Sequence, residues 1–279
     1  MNSPRTFPHI AVFTDLDGSL LDHANYSYAA ARPALARISR EGIPLVFTTS
    51  KTRAEVEHLQ RQMGLREPFI VENGAALFFP DDDRLLRIDI GFRHAPYTVI
   101  QLGTTYAKIR RFNNATRDQF RIRGFGDMSV REIAELTGLS PAQANLAQQR
   151  EFTEPFLPAP DTDIAALEKM AAARGLQITR GGRFHHLIGR RQDKGAAVKI
   201  AAGIYSKNAG APITTIGIGD SANDRSLLAS VDIPVVIPRP DGTLLDIGRS
   251  EAYTAPAPGS TGWNAAVLDI LEELATNGA

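Results

Sequence analysis

Pairs of carboxylates follow two apolar runs of the chain. Asp15 and Asp17 come directly after the first run, and Asp220 and Asp224 come after a run in the second half. Because ligands of open α/β sheets bind at the carboxyl ends of parallel strands, we expect these four side chains to meet at one edge of a sheet. Mg²⁺ prefers oxygen ligands, keeps several waters and needs only a few protein carboxylates. The sequence therefore predicts a magnesium site at this edge.

Hydroxyl and ammonium groups are expected at the same edge. Thr49, Ser50 and Lys51 end another apolar run, and Lys194 opens a helix, where the helix dipole does not favour a cation. Taken singly, hydroxyls before a helix are typical of caps, and a lone lysine is typical of a solvated surface. Together with the carboxylates they supply a nucleophile, an acid–base group and donors for phosphate oxygens. That set is what phosphoryl transfer needs.

The elements that position these groups alternate along the chain. Apolar runs alternate with helix-like segments in the first and last thirds, which predicts a Rossmann-like, doubly wound parallel sheet with helices on both faces. The middle of the chain is helix-rich with a few strands and interrupts this pattern. We therefore expect an α/β core domain formed by residues 1–90 and 190–279, with an inserted α/β cap domain over residues 91–189.

Composition excludes several classes of protein. The 279 residues carry 31 basic and 31 acidic side chains, a net charge of +0, so the whole chain offers no basic field for nucleic acid or acidic membranes. With 0 cysteines it has no disulfide, thiolate zinc site or cysteine nucleophile. Because the sequence has no run of about 18 apolar residues, a membrane span is not expected. These features favour a cytoplasmic protein.

The motifs resemble those of the haloacid dehalogenase superfamily of phosphotransferases. Residues 15–19 are similar to the first motif of that family, Thr49 to the second, Lys194 to the third and residues 219–224 to the fourth. The insertion after the third strand, together with Asn73 in a Glu-Asn-Gly-Ala stretch, resembles the group that carries a large α/β cap. The resemblance covers the whole expected core.

That resemblance implies roles for the core residues. Asp15 would attack phosphorus and form an aspartyl-phosphate, while Asp17 would protonate the leaving oxygen and then activate the water that hydrolyses the intermediate. Thr49 and Lys194 would bind the phosphoryl oxygens. The implied Mg²⁺ would be held by four residues, of which Asp17 acts through its carbonyl and Asp224 acts as a direct ligand or a neighbour of the ligands: Asp15, Asp17, Asp220 and Asp224.

Within the superfamily the chain is similar to phosphatases of mannosyl-3-phosphoglycerate, mainly through residues 150–156 and 180–186 in the expected cap. This implies hydrolysis of that ester to mannosylglycerate and phosphate. Arg183, with Arg180 as a second candidate, is expected to bind the glycerate carboxylate, because planar guanidinium groups bind carboxylates in bidentate fashion. The full set of expected substrate-binding residues is Ser50, Lys51, Asn73, Glu154, Arg180, Arg183, His185 and His186.

The sequence leaves open which histidine faces substrate, which sugar the substrate carries and what the oligomeric state is. Adjacent strand residues point to opposite faces, so only one of His185 and His186 is expected to face substrate. The sugar is not specified, which leaves glucosyl-3-phosphoglycerate or sucrose phosphate as alternative substrates and a phosphohexomutase as an alternative enzyme. Residues 130–147 imitate a helix-turn-helix, but the second helix carries no cation for phosphates, so two cap helices are favoured over a DNA-binding element. The expected partner is a small phosphorylated sugar–glycerate molecule, and the oligomeric state is left open.

Overall fold

A computed structural model of the chain describes residues 9–82, 86–181 and 184–277. In chain order its strands are β1 (Ile10–Thr14), β2 (Leu45–Thr48), β3 (Phe69–Val71), β4 (Ala76–Pro80), β5 (Phe92–His94), β6 (Tyr97–Gln101), β7 (Ile122–Gly124), β8 (Glu154–Pro158), β9 (Leu176–Gly181), β10 (Phe184–Gly189), β11 (Thr214–Gly219), β12 (Ile233–Val236) and β13 (Tyr253–Thr254). Its α-helices are α1 (Arg32–Glu41), α2 (Arg53–Met63), α3 (Tyr106–Phe120), α4 (Val130–Thr137), α5 (Pro141–Gln148), α6 (Ile164–Ala173), α7 (Lys194–Ala209), α8 (Arg225–Leu228) and α9 (Gly259–Asn277).

A nine-stranded sheet forms the larger layer, in the order β13-β12-β11-β1-β2-β3-β4-β6-β5. The six strands from β13 to β3 run parallel, while β4, β6 and β5 complete the sheet with antiparallel pairs. Successive residues of β1 point to opposite faces, so Val12 belongs to one buried cluster and Phe13 to another. Helices cover both clusters, which confirms the predicted doubly wound α/β fold.

A second, antiparallel sheet has four strands in the order β7-β8-β10-β9. One of its faces is covered by α3 and α6, whose Ile109 and Leu167 are buried against Phe156 of the sheet. The helix pair α4 and α5 forms a separate small cluster around Ile133 and Ala144. The inserted segment is therefore an α/β unit, as the sequence pattern predicts.

Strands β5 and β6, just after the expected start of the insertion at residue 91, belong to the large sheet. Strands β5 and β6 form a hairpin that extends the large sheet through pairing of β6 with β4, so the chain leaves that sheet only after Gln101. The reason lies in aromatic packing, because the ring of Tyr97 lies edge-on against Phe69 and Phe78, at 5.4 and 5.6 Å between ring centroids.

The helix pair that imitates a DNA-binding motif has a structural place in this fold. Gly138, with φ of +79°, ends α4 and allows the turn into α5. The carbonyl of Leu146 in α5 accepts a hydrogen bond from the Thr52 hydroxyl at 3.0 Å, at the start of α2. The helix that would have to enter a DNA groove therefore packs between the two units of the protein. In the described parts of the chain, none of the helices has both the length and the apolar composition of a bilayer span.

Candidate active site

Two strand ends bring the first group of predicted residues together. The backbone N–H of Asp15, at the end of β1, donates to the carbonyl of Ile218 in β11 at 2.8 Å. Gly18 then turns the chain with φ of +82°, and a Cβ on it would lie 2.8 Å from Oδ2 of Asp220. A larger residue would be strained there and would push the Asp220 loop away. Glycine at this position therefore lets the two carboxylate-bearing loops meet.

A buried cluster of carboxylates lies at this edge. Asp15, Asp220 and Asp224 each offer an oxygen, and these oxygens all lie within 4.8 Å of one another. Nζ of Lys194 lies 2.6 Å from Oδ1 of Asp15 and 2.6 Å from Oδ1 of Asp224, and all three side chains are almost fully buried. Lys194 thus links two of the carboxylates but leaves the cluster with more negative than positive charge.

Burial, together with this excess of negative charge, shifts the pKa values of the acids in the cluster. Burial, followed by repulsion from Asp224, raises the pKa of Asp15 well above its usual value, although Lys194 opposes the shift. Burial and repulsion from Asp224 likewise raise the pKa of Asp220 to about 6. Oδ1 of Asp220 is buried without a hydrogen-bond partner among the described residues. An oxygen-lined, electronegative site with an unpaired acceptor fits a hard cation.

The carboxylate of Asp17 lies outside that cluster. Its Oδ1 pairs with Nζ of Lys51 at 2.9 Å, and Nζ of Lys51 also lies 3.9 Å from Glu55. Burial opposes the charge on Lys51, but attraction to Asp17 and Glu55 outweighs it and raises the pKa of Lys51. The side chain of Asp17 is thus held by an ammonium group and does not belong to the buried cluster of Asp15, Asp220 and Asp224.

Helix packing fixes the position of Lys194. The side chain of Asp193 caps α7 by accepting a hydrogen bond from the Ala196 N–H at 2.9 Å. Gly74 has φ of +87°, and a Cβ there would lie only 2.1 Å from the carbonyl of Asp193. The loop after β3 can therefore approach the start of α7 only because this residue is glycine. That close contact aims Lys194 at the ends of β1 and β11.

Thr49 and Asn73 shape the neighbouring loop. Thr49 is fully buried, its hydroxyl accepts a hydrogen bond from the Lys51 N–H at 3.1 Å, and its carbonyl accepts one from the Asn73 N–H at 2.9 Å. Asn73 has a left-handed φ of +62°, and its Oδ1 lies 3.4 Å from Nδ2 of Asn223. The loops after β2, β3 and β11 are therefore joined by hydrogen bonds at one sheet edge.

A cavity of about 460 Å³ opens above this edge, between the two sheets. Its walls come from three carboxylates of the core, from polar loop residues and from the face of the second sheet: Asp15, Asp17, His23, Ser50, Asn73, Thr179, Arg180, His186, Asp220, Ser221, Asn223 and Arg239. Seven of these are residues that the sequence singled out. Lys51 lines a smaller neighbouring cavity of about 210 Å³ instead.

The adjacent histidines face different ways, as strand geometry requires. His186 lines the cavity, whereas the ring of His185 stacks on Phe156 at 5.5 Å between ring centroids. Burial, followed by repulsion from Arg150, lowers the pKa of His186 to about 3, so its ring is neutral at physiological pH. Its Nδ1 has no hydrogen-bond partner among the residues described. Arg180 also lines the cavity, and Arg183 lies outside the described residues.

Glu154 is placed differently from the sequence expectation. It is fully buried inside the second unit and does not line the cavity. Its carboxylate accepts hydrogen bonds from the Tyr106 hydroxyl at 2.5 Å, from Nη1 of Arg110 at 2.8 Å and from the Gly126 N–H at 2.8 Å. These donors occupy its carboxylate, so in this structure Glu154 stabilises the second unit.

A buried ion pair that the sequence did not indicate joins the two units. The carboxylate of Glu72, next to Asn73, accepts hydrogen bonds from the N–H groups of Glu151 and Phe152 and from the Thr153 hydroxyl at 2.8, 3.2 and 2.6 Å. Nε of Arg150 lies 3.3 Å from the same carboxylate. Residues 150–153 belong to the inserted segment, so a side chain in the loop after β3 binds that segment to the large unit.

Two cavity residues, His23 and Arg239, were also not found by sequence reasoning. Arg239 lies between two prolines just after β12, at the same carboxyl edge as the aspartates. That position in the alternating pattern was the available signal. His23 lies in a polar loop whose sequence gives no comparable indication.

The chain is similar to proteins of known family. Residues 12–92 match the model of the haloacid dehalogenase-like hydrolases. The glucosyl-3-phosphoglycerate/mannosyl-3-phosphoglycerate phosphatase of Persephonella marina is 47% identical over 265 residues, which cover 95% of this chain and 98% of that protein. The protein of the same name from Methanococcoides burtonii is 40% identical, covering 93% and 96% of the two chains.

Solved structures share the fold. Protein 0175 of Thermoplasma acidophilum has a TM-score of 0.68 at 17% identity, with 95% of this chain and 99% of that chain covered. The sucrose-phosphatase of Synechocystis sp. PCC6803, solved with sucrose and phosphate, has a TM-score of 0.59 at 17% identity and covers 96% and 98%. The fold, the motifs and the extended identity agree, and the chain belongs to the haloacid dehalogenase-like hydrolases as a phosphoric monoester hydrolase.

Proposed function

We propose that the protein is a magnesium-dependent phosphatase that hydrolyses mannosyl-3-phosphoglycerate to mannosylglycerate and phosphate. The names of both relatives support a glycosylated phosphoglycerate as the substrate class. The observation that carries the chemistry is the contact of Lys194 with Asp15 and Asp224, beside Asp220, at the floor of a polar cavity. We further propose that the inserted segment after Gln101 acts as the cap over this cavity.

In the first step the carboxylate of Asp15 attacks phosphorus. A bond forms between an Asp15 oxygen and phosphorus, and the bond from phosphorus to the glycerate oxygen breaks. Asp17 gives its proton to that leaving oxygen, which avoids the release of an unstable alkoxide. Lys194 holds the Asp15 carboxylate at 2.6 Å and, with Thr49, binds the phosphoryl oxygens as their charge redistributes.

In the second step a water molecule attacks phosphorus. Asp17, now ionised, takes a proton from this water, and the bond between phosphorus and the Asp15 oxygen breaks. Inorganic phosphate leaves, and the Asp15 carboxylate is restored. Lys51, 2.9 Å from Oδ1 of Asp17, keeps the acid–base group aimed at the site during both steps.

Residues at the floor of the cavity would hold Mg²⁺. These are Asp15, Asp220 and Asp224 through their carboxylates, and the family resemblance adds the carbonyl of Asp17 as a further oxygen ligand. When bound, the ion supplies positive charge that offsets the repulsion between the Asp15 carboxylate and the phosphate dianion. The unpaired buried oxygen of Asp220 supports this assignment.

The glucosyl ester is the second candidate substrate, because both relatives are named for the glucosyl as well as the mannosyl compound. A phosphate-release assay with Mg²⁺ tests the proposal on mannosyl-3-phosphoglycerate, glucosyl-3-phosphoglycerate, sucrose phosphate and hexose phosphates. We expect kcat/KM to be highest on one or both phosphoglycerate esters. Faster turnover of sucrose phosphate, or an isomerised sugar phosphate without free phosphate, would contradict it.

A further inference from the structure

The backbone of Arg239 is fixed at the rim of the cavity. It follows β12, between Pro238 and Pro240, whose rings restrict the chain on both sides. Its N–H donates to the carbonyl of Thr243 at 2.9 Å, and its carbonyl accepts from the N–H of Gly242 at 2.9 Å. These bonds close a small loop, so the side chain starts from a well-defined position.

The guanidinium group of Arg239, by contrast, is uncommitted. It is half-buried and lines the cavity next to Asp220, but it forms no hydrogen bond or ion pair with any of the residues that the structure describes. The acid closest in sequence, Asp241, uses its Oδ1 to accept from the Thr243 N–H and hydroxyl, at 2.9 and 2.7 Å. None of the five N–H donors of Arg239 is bonded to a protein acceptor in the described part of the chain, so the group at this cavity wall can take a planar anionic ligand.

The phosphoryl group of the substrate does not need Arg239, because Lys194 already lies at the floor of the site. The second anion of a phosphoglycerate ester is its carboxylate, three carbon atoms along the same small molecule. On the cap side of the cavity, the neutral ring of His186 gives no charge, and Arg180 is exposed to solvent. The core side, with Arg239 and the neighbouring His23, is the better place for that carboxylate.

We propose that Arg239, with His23 beside it, binds the carboxylate of the phosphoglycerate substrate from the core side of the cavity. The assignment rests on the proposed function for the substrate class. It differs from recognition by Arg180 or Arg183, because the carboxylate would be held by the same sheet edge that carries the aspartates. The ester would then be fixed at two points before the cap contributes any contact.

The test compares two esters that differ only in this group. One is mannosyl-3-phosphoglycerate, and the other is its analogue in which the carboxylate is reduced to a hydroxymethyl group. The ratio of kcat/KM for the acid to kcat/KM for the reduced analogue measures carboxylate recognition. It is measured for the wild type, for Arg239→Gln and Arg239→Lys, and for Arg131→Gln as a matched control at an exposed site in α4.

We expect Arg239→Gln to lower this ratio about 10- to 100-fold, mainly through KM, because it removes charge-assisted hydrogen bonds. Arg239→Lys keeps the charge without the planar fork and should show a smaller loss, and Arg131→Gln should keep the wild-type ratio. Thermal unfolding of each variant checks that the fold is intact, and Arg239→Lys gives a second measurement if the glutamine variant is unstable.

Two results would overturn the assignment. Unchanged kcat/KM values for both esters in both Arg239 variants would mean that another group binds the carboxylate. Equal losses on both esters would mean that Arg239 acts on the phosphoryl group or the fold. A failure of the proposed function looks different, because the wild type itself would then turn over neither ester faster than p-nitrophenyl phosphate, and this assignment would fall with it.

Discussion

Replacing Glu72 with glutamine tests the buried network that joins the inserted segment to the large sheet. The Glu72 carboxylate accepts from two backbone N–H groups and the Thr153 hydroxyl, and it pairs with Arg150 at 3.3 Å, in a place where both charged side chains are almost fully buried. The amide of glutamine has one oxygen and one NH₂ group. It must therefore turn a donor towards groups that are themselves donors.

The expected loss is large because Arg150 keeps its charge in the variant. Its remaining acceptors are the Thr153 hydroxyl at 2.5 Å and the Ser50 carbonyl at 3.1 Å, neither of which is charged. Breaking a buried ion pair by removing one partner costs about 3–5 kcal/mol of unfolding free energy. Thr153→Val removes the hydroxyl that donates to Glu72 and accepts from Arg150 but leaves the two charges paired, and it should cost about 1.5–3 kcal/mol.

Denaturant unfolding measures these losses, with two probes. The only tryptophan of the chain, Trp263, is fully buried in the large unit and donates to the Thr14 hydroxyl at 2.9 Å, so its fluorescence follows that unit. Circular dichroism follows both units, and coincident transitions would justify a two-state treatment. The double variant Glu72→Gln/Arg150→Met should lose less than the sum of the two single variants.

Activity gives an independent measure of the same network. The N–H of Glu72 donates to the carbonyl of Lys51 at 3.0 Å, so a disturbed Glu72 should also disturb the loop that holds Asp17. We expect kcat/KM of Glu72→Gln to fall more than that of Thr153→Val. A loss of less than about 1 kcal/mol in Glu72→Gln, with activity unchanged, would refute the importance given to this buried pair.

Three further predictions follow from the site and the cap. Dialysis against EDTA should abolish hydrolysis, Mg²⁺ should restore it and Ca²⁺ should restore little, because calcium prefers more ligands and looser geometry; full activity in excess EDTA would exclude a metal requirement. Lys51→Met should lower kcat about tenfold, because Asp17 loses its partner, whereas the control variant Arg131→Gln should keep the wild-type kcat. If the two variants have equal kcat values, Lys51 has no role in positioning Asp17. Burial opposes ionisation of Asp127, but hydrogen bonds from Arg110 and the Gly124 N–H outweigh it and lower the pKa of Asp127 to about 2. The stability that ionised Asp127 contributes is therefore present above the usual carboxyl pKa and lost between about pH 4 and 2. The difference in unfolding free energy between wild type and Asp127→Asn should shrink as the pH falls through that range, and a wider difference would contradict the assignment.

The sequence predicts the large sheet well, because local patterns carry that information. Five of the six parallel strands are short apolar runs, whereas the two-residue strand β13 carries no such pattern. The position of Asp15, Asp220 and Lys194 at one edge then follows from the geometry of parallel sheets alone. The strand hairpin β5–β6 could not be assigned in the same way, since its place in the sheet depends on packing of Tyr97 against distant aromatic rings.

Long-range contacts explain what the sequence leaves undetermined at the site. The carboxylate of Glu154 is used by Tyr106 and Arg110, which lie 48 and 44 residues earlier in the chain. Strand alternation separates His185 from His186 but does not say which face of the second sheet meets the core. The alternating pattern places Arg239 after a strand at the carboxyl edge, but its position next to Asp220 depends on the order of strands in the sheet.

Trapping the phosphorylated enzyme tests the central claim, that Asp15 is the nucleophile. In Asp17→Asn, p-nitrophenyl phosphate should still react, because its leaving group needs no proton, while attack by water loses its general base. Acid quenching and peptide mass spectrometry should then find the mass of one phosphoryl group on Asp15, and the same experiment on Asp15→Asn should find none. A phosphoryl group on another residue, or near wild-type turnover by folded Asp15→Asn, would contradict the account.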